Sequence, residues 1–445
     1  QRYLLEVNGR YDGSSKFAKD HRYAFFPSVS AAWRISEENF WQPLKGWWND
    51  MKIRGSYGSL GNQVMDDLGN FPYLATYGTN SSYNYLINGS KPVIVKAPGL
   101  VAPDFTWETV TQMDFGFDAS FLNNRLTGTF DWYRRNTKDM LVAGATLPAT
   151  LGASVPKSNS ADMKTIGWEL SLGWNDRLEN GFSYWVKGVL SDYQATITKY
   201  AGNDAGFYSQ SDDDGKYYVG QKIGEIWGYH SNGLFQSDDE AATIDQSELY
   251  AGKWGAGDVK YEDLDNDGKI TKGEETIYNP GDKSIIGNKT PRYQFGITVG
   301  FDYKNFDFEM FWQGTGKRDY MLSGAQFWGF TSQWDVPYTP ALDYWTETNT
   351  DAYFPRPGWQ NGGNRVTSDR YLQSAAYGRL KNLTVGYTIP KNLTTKWGIS
   401  RLRLYVTGEN LLTITPLNDA FDPETLGGMT YPINRKVAIG LNLTL

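Results

Sequence analysis

The chain has 445 residues, a formal net charge of −7 and no cysteine. That leaves no disulfide framework, thiolate metal site or Cys nucleophile, and the acidic balance argues against a nucleic-acid partner. Aromatics are 16% of residues, with 30 Tyr, 17 Trp and 48 Gly, a mixture that suits strands, interfacial rings and turns. No run of 18 apolar residues occurs, which excludes transmembrane helices; a transmembrane barrel stays open, because its polar lumen and loops dilute the mean hydropathy. No composition break divides the chain, so 1–445 reads as one domain. The chain opens at Gln1 almost directly on a strand pattern, with no signal peptide, and the expectation is the C-terminal piece of something longer.

Twelve segments carry strand signal. The first three are Arg2–Asp12, Ala24–Ile35 and Lys52–Asn62. A long hairpin over Thr109–Phe121 and Leu126–Tyr133 follows, around the turn Leu122–Arg125. Met113, Phe115, Phe117, Ala119 and Phe121 fall on one face, and Gln112, Asp114, Gly116, Asp118 and Ser120 on the other. After the turn, Leu126, Gly128, Phe130 and Trp132 oppose Thr127, Thr129, Asp131 and Tyr133. Period-two alternation is the mark of a strand with one apolar face. Next come Thr165–Asp176, Phe182–Thr198, Tyr293–Tyr303, Phe306–Thr315, Leu380–Ile389, Arg401–Ile414 and Lys436–Leu445. In the last, Val437, Ile439, Leu441, Leu443 and Leu445 share a face.

The connections separate a soluble sandwich from a membrane barrel. One set is short: Leu122–Arg125, Arg177–Gly181, Lys304–Asn305 and Lys391–Ser400, with Ser36–Met51 the longest. The other is long: Gln63–Glu108, Val142–Lys164, Lys199–Arg292, Gly316–Arg379 and Thr415–Arg435, with only Ser14–Tyr23 short. Outer-membrane barrels have this asymmetry, with short periplasmic turns and long extracellular loops. The predicted fold is therefore all-β, a transmembrane antiparallel β-barrel. Trp33, Trp107, Trp174 and Tyr303 are expected in two interfacial girdles. An even strand count puts the C-terminus on the periplasmic side. Open edges are not tolerated in lipid, so the seam partner of the last strand is expected outside this chain.

The sharpest local motif runs from Asp263 to Glu274. Asp263, Asp265, Asp267, Thr271 and Glu274 stand at positions 1, 3, 5, 9 and 12 of a Ca²⁺ loop, with Gly268 at 6. Lys269 at 7 would offer its backbone carbonyl, Thr271 would act through water, and Glu274 would bind bidentately. Surrounding glycines and Pro280 argue against flanking EF-hand helices, so the expectation is a structural Ca²⁺ loop within Lys199–Arg292. The bland reading is an acidic solvated turn.

The long loops carry Trp227, Tyr229, Trp254, Trp328, Trp334, Tyr338, Trp345, Tyr353 and Trp359. Such rings pack loops on one another, anchor a protein lid or stack on substrate; all three uses stay open. Asp114, Asp118, Asp131, Glu169, Arg401, Arg403 and Glu409 are lumen-face candidates to touch cargo or plug, with mutual ion pairs and plug contacts the stronger expectation. An enzyme is not expected. His21 and His230 are the only histidines, and neither has a Ser-plus-acid arrangement beside it in sequence. Asp212–Asp214 and Asp238–Glu240 read as solvated charge runs.

Five stretches, in order, carry a resemblance: Phe26–Glu38 (FPSVSAAWRISEE), Lys52–Gln63 (KIRGSYGSLGNQ), Gly378–Pro390 (GRLKNLTVGYTIP), Arg401–Thr413 (RLRLYVTGENLLT) and Tyr431–Leu445 (YPINRKVAIGLNLTL). Together they resemble the C-terminal barrel of SusC/RagA-type TonB-dependent outer-membrane transporters. The resemblance implies a barrel of about 22 strands, of which these are the last twelve, with an N-terminal plug and TonB box outside this chain. It also implies a SusD-like surface lipoprotein as lid, energy from TonB, and import of oligosaccharides or peptides. Leu445 departs from the pattern, since an aromatic terminal residue is common in such barrels. The other readings are an accessory barrel subunit of a larger outer-membrane complex and a soluble glycan-binding β-protein.

Overall fold

The computed structural model describes residues 1–445 apart from 64–68, 81–85, 88, 92, 103–104, 145–147, 209–215, 330, 359–360, 427–430 and 432. Its frame is a single twelve-stranded sheet in which each strand is antiparallel to the next in sequence. The strands are β1 (Tyr3–Gly13), β2 (Tyr23–Arg34), β3 (Trp48–Asn62), β4 (Glu108–Phe121), β5 (Leu126–Ala143) and β6 (Lys157–Arg177). They continue as β7 (Ser183–Tyr200), β8 (Arg292–Tyr303), β9 (Phe306–Lys317), β10 (Tyr377–Thr388), β11 (Arg401–Ile414) and β12 (Lys436–Thr444). Among the described residues β1 and β12 are the two free edges. No helix of the described residues is long and apolar enough to cross a membrane.

The alternation seen in the sequence becomes two faces. Met113, Phe115 and Phe117 of β4 are exposed on the outside of the sheet, as are Leu404 and Val406 of β11 and Val437, Ile439, Leu441 and Leu443 of β12. Strand-on-strand register lines these residues up: Phe117 lies opposite Phe130, with ring centroids 5.7 Å apart, and Leu404 lies opposite Leu441. Large side chains left bare in a row are unstable in water and at home in hydrocarbon.

The hairpin β5–β6 runs well past its predicted ends, Tyr133 and Thr165. Beyond Tyr133 the sequence turns to Arg134, Arg135, Asn136 and Thr137, so the apolar signal stops while the ladder continues to Ala143↔Lys157. This upper part leaves the bilayer and needs no apolar outer face. It bulges between Thr137 and Met140, where Asp139 has φ 58°. Ala161, Ile197 and Tyr200 form a small core there with Met140, Val142 and Met163.

At the short-turn end, aromatic rings meet in pairs. Trp48 lies 5.0 Å from Phe121, Phe182 lies 5.5 Å from Phe301, and Phe306 lies 4.7 Å from Tyr387. Trp33, Trp174 and Tyr303 belong to this end, beside the turns that follow β2, β6 and β8. Trp107 does not face lipid. It is 5% exposed in a cluster with Phe17, Phe26 and Phe105 at the opposite end, and its indole N–H donates to the Arg22 carbonyl at 3.3 Å. It precedes β4, so strand parity does not fix its direction.

Three of the long connections, 201–291, 318–376 and 415–435, share one hydrophobic core. Tyr229, Val259, Tyr261 and Ile270 come from the first; Leu322, Phe327, Trp328, Phe354 and Tyr371 from the second; Leu417, Phe421 and Leu426 from the third. Phe327 and Tyr371 are fully buried. These loops form a folded body on the long-loop end of the sheet.

Candidate functional site

The inner face of the sheet is lined with charge arranged around a few arginines. Arg54 of β3, Gly116 of β4 and Asp131 of β5 stand directly opposite one another across three strands. Gly116 has no side chain, so the Arg54 guanidinium passes over it and meets both Asp131 oxygens, at 2.5 and 2.6 Å. A Cβ at Gly116 would overlap Asp131 Oδ1 and lie 3.0 Å from Arg54 Cζ. The same guanidinium lies 3.4 Å from Asp118 and 3.7 Å from Asp114, and Lys52 reaches Asp118 at 2.7 Å. Glu169 sits opposite Asp131 on β6, adding a fourth carboxylate to a wall patch that holds two cations. Arg54 is the first residue the sequence reading missed. Its signal was the polar parity of Lys52 and Arg54 beside Ile53.

A second pair repeats the device. Arg403 of β11 pairs with Asp307 of β9 through two hydrogen bonds, one of them 2.9 Å. They meet over Gly386 of β10, where any Cβ would collide with both. Arg401 is exposed at the short-turn end, and Glu409 lies 3.7 Å from Lys436, its cross-strand neighbour. Two further ion pairs were not foreseen. Asp192, 7% exposed, holds Arg292 across β7 and β8. Arg379, 2% exposed, donates to Thr413 at 2.8 Å and pairs with Asp422 at 2.6 Å and Glu424 at 3.0 Å, while Lys381 reaches Glu424. Asp422 and Glu424 lie in connection 415–435, so this loop is fastened to the wall of β10. A charge withdrawn from water needs such partners.

The loop aromatics divide. Tyr229 and Trp328 are inside the loop core, with Trp254, Trp345 and Tyr353 packed against it. Trp227 stacks on Tyr208 at 4.2 Å. Trp334 and Tyr338 are exposed, Trp334 by 82%. Trp359 and Asp212–Asp214 lie outside the described residues. Asp238 and Glu240 are each paired, with Lys253 and Lys260 at 2.9 Å, and Ser237 caps the short helix Asp238–Ala241. Burial pushes the Lys283 ammonium below its ordinary value although it pairs with Glu275 at 3.1 Å.

Asp263, Asp265 and Asp267 bring one carboxylate oxygen each within 4.8 Å of one another. Asn266 (φ 61°) turns the backbone between them, and Gly268 (φ 85°) turns it just after Asp267. Burial works to raise the Asp263 pKa, but the N–H groups of Gly268, Asn266 and Asp267 outweigh it and hold the carboxyl below its ordinary range. Asp265 is raised, by burial and by the charge of Asp267. Lys269 and Thr271 continue the loop, with the Thr271 N–H bonded to buried Asp282 at 2.7 Å. Glu274 is not among the gathered carboxylates.

His21 sits in a surface turn. His230 has partners that the sequence hid: Asp369 on Nδ1 and Ser284 on Nε2, both at 2.7 Å. They come from positions 139 and 54 residues away.

A sheet with an apolar outer face, an ion-paired inner face, short turns at one end and folded loops at the other is the wall of an outer-membrane β-barrel. The chain belongs to the TonB dependent receptor-like, beta-barrel family, which matches residues 1–411; it is a family of transporters, not an enzyme class. The chain is 30% identical to TonB-dependent receptor P3 of Formosa agariphila, over 99% of this chain and 44% of that protein. It is 28% identical to TonB-dependent receptor SusC of Bacteroides thetaiotaomicron, over 99% of this chain and 42% of that one. The solved RagAB peptide transporter has the same fold, with a TM-score of 0.77 at 23% identity over the whole of this chain and 46% of that one. The chain thus spans less than half the length of the relatives it matches.

Proposed function

We propose that this chain is part of the wall of an importer that brings oligosaccharides or peptides across the outer membrane. A plug segment outside this chain contacts TonB, and a SusD-like lipoprotein covers the loops. The observation that carries the reading is the ion-paired inner wall of a membrane-facing sheet in a SusC/RagA-type relative. Arg54, Lys52 and Arg403 are each held by wall carboxylates, so these side chains line the passage tied to one another rather than reaching for cargo. The family membership and the relation to SusC and the RagAB peptide transporter support the substrate classes and the lid. The exposed Trp334 and Tyr338 are the ring contacts offered to that lid. Asp263, Asp265 and Asp267 support a structural Ca²⁺ in the loop body, with Lys269 and Thr271 completing the donor set through a carbonyl and a water.

The test is uptake by cells carrying the whole transporter. Labelled peptides and labelled oligosaccharides are offered in parallel, with and without a protonophore. Accumulation of one class that requires the gene and collapses with the protonophore is expected. Uptake of both classes that survives deletion of the gene overturns the reading.

A further inference from the structure

The geometry points to a second, hydrolytic site on the extracellular loops, made of Ser284, His230 and Asp369 and acting on carboxylic esters. It is built on paired backbone. Glu225–Tyr229 pairs antiparallel with Lys283–Asn288, placing Ser284 opposite Gly228. Side chains two residues apart share a face of a strand, so His230, two beyond Gly228, comes beside Ser284. On the other side, Tyr229 N donates to Thr367 O at 2.9 Å and Asp369 N donates to Tyr229 O at 3.1 Å. That parallel bridge brings Asp369 to the other nitrogen of the same imidazole.

The chemistry of the partners fixes the tautomer. An ionised carboxylate only accepts, so the proton of His230 sits on Nδ1, facing Asp369 Oδ2. Nε2 then carries the lone pair, 2.7 Å from Ser284 Oγ. This is the arrangement of a serine nucleophile, its general base and the acid that orients the base. Asp369 is itself held, its Oδ1 accepting from Ser231 N at 3.0 Å. The site is reachable: the side chains of His230 and Asp369 are 34% and 39% exposed.

In the step, a bond forms between Ser284 Oγ and the ester carbonyl carbon while the hydroxyl proton passes to His230 Nε2. The bond to the alcohol oxygen breaks, and the departing alkoxide takes that proton. Water then attacks the acyl-serine, gives a proton to His230, and releases the carboxylic acid as Ser284 recovers its hydrogen. Esters fit this site better than amides, because an alkoxide departs more readily than an amine and asks less of the site. Ser284 and His230 are the catalytic residues, and Asp369 is a positioning residue. The site is separate from the lumen wall, so its failure leaves the import reading untouched.

The test uses the full-length transporter in outer-membrane vesicles, treated with a fluorophosphonate probe and mapped by peptide mass spectrometry. Ser284 displaces fluoride at phosphorus and becomes the dominant labelled serine. His230→Gln lowers the labelling rate about 100-fold or more, the usual worth of a general base. Asp369→Asn lowers it as well, and Asp369→Glu restores part of it, which a purely structural contact would not require. Heat-modifiable migration on gels reports whether each variant still assembles. Wild-type protein with Ser284 no more labelled than other surface serines overturns the proposal. Equal labelling in wild type and an assembled His230→Gln does so too.

Discussion

At the scale of residues, the inner wall depends on what is missing from Gly116 as much as on what Arg54 carries. The Arg54–Asp131 bridge crosses a whole strand, and it does so only because no Cβ stands between them. Gly116→Val is therefore expected to push the guanidinium off Asp131. Breaking a part-buried charged hydrogen bond costs about 1–3 kcal/mol, to be read by denaturant unfolding of the whole transporter in detergent or lipid. A valine variant as stable as wild type would show that the bridge contributes nothing. Neighbouring positions separate the two faces. Phe117→Arg puts a charge in hydrocarbon at a cost of about 2–4 kcal/mol near mid-bilayer, whereas Asp118→Arg stays on the inner side and avoids that penalty. Small and equal effects at both positions would contradict the assignment of faces. The parity of these residues was legible in the sequence. The Arg54 bridge was not, because it depends on inter-strand register, which one strand's pattern does not contain.

At the scale of elements, the acidic loop from Asp263 shows how far a motif reaches. Spacing announced a Ca²⁺ loop, and folding does gather Asp263, Asp265 and Asp267. Glu274 is not among them; its backbone N–H donates to Asn279 O at 3.0 Å, while Asp282 occupies the inner side of the loop. The loop lacks the flanking helices that bring position 12 of an EF-hand back over the other ligands. The expected pH dependence follows from the two shifted carboxyls. Asp265, raised, protonates first as pH falls; Asp263, lowered, protonates last. Calorimetric Ca²⁺ affinity should therefore start to fall on the upper side of the ordinary Asp range, because ligands must be deprotonated. Asp265→Asn should remove that early part of the fall. Affinity independent of pH, or no affinity at all, would refute the cation. The sign for metal-free stability is the same for Asp263: its stabilisation is complete above the unfolded carboxyl pKa and is lost as pH drops through the folded one.

At the scale of the whole molecule, a sheet and a loop body share one chain but obey different rules. The sheet needs only alternation, since lipid accepts any apolar face; the loops need a packed core of their own. Phe327, which touches Trp328, Phe354 and Phe421, is central to that core. Phe327→Ala is expected to cost about 3–5 kcal/mol of loop-body stability. Limited proteolysis should then cut connections 201–291, 318–376 and 415–435 together and leave the sheet intact. Cleavage of 318–376 alone would mean that the three loops fold independently. By itself the sequence determined the strands, their faces, the unequal ends and the family, because these rest on period-two patterning and short motifs that are local in the chain. Tertiary structure decided what lies opposite what: Arg54 over Gly116, loop 415–435 tied to Arg379, Trp107 turned away from lipid, and His230 between Ser284 and Asp369. Those contacts join residues tens to more than a hundred positions apart, and only the closing of the ladders brings them together.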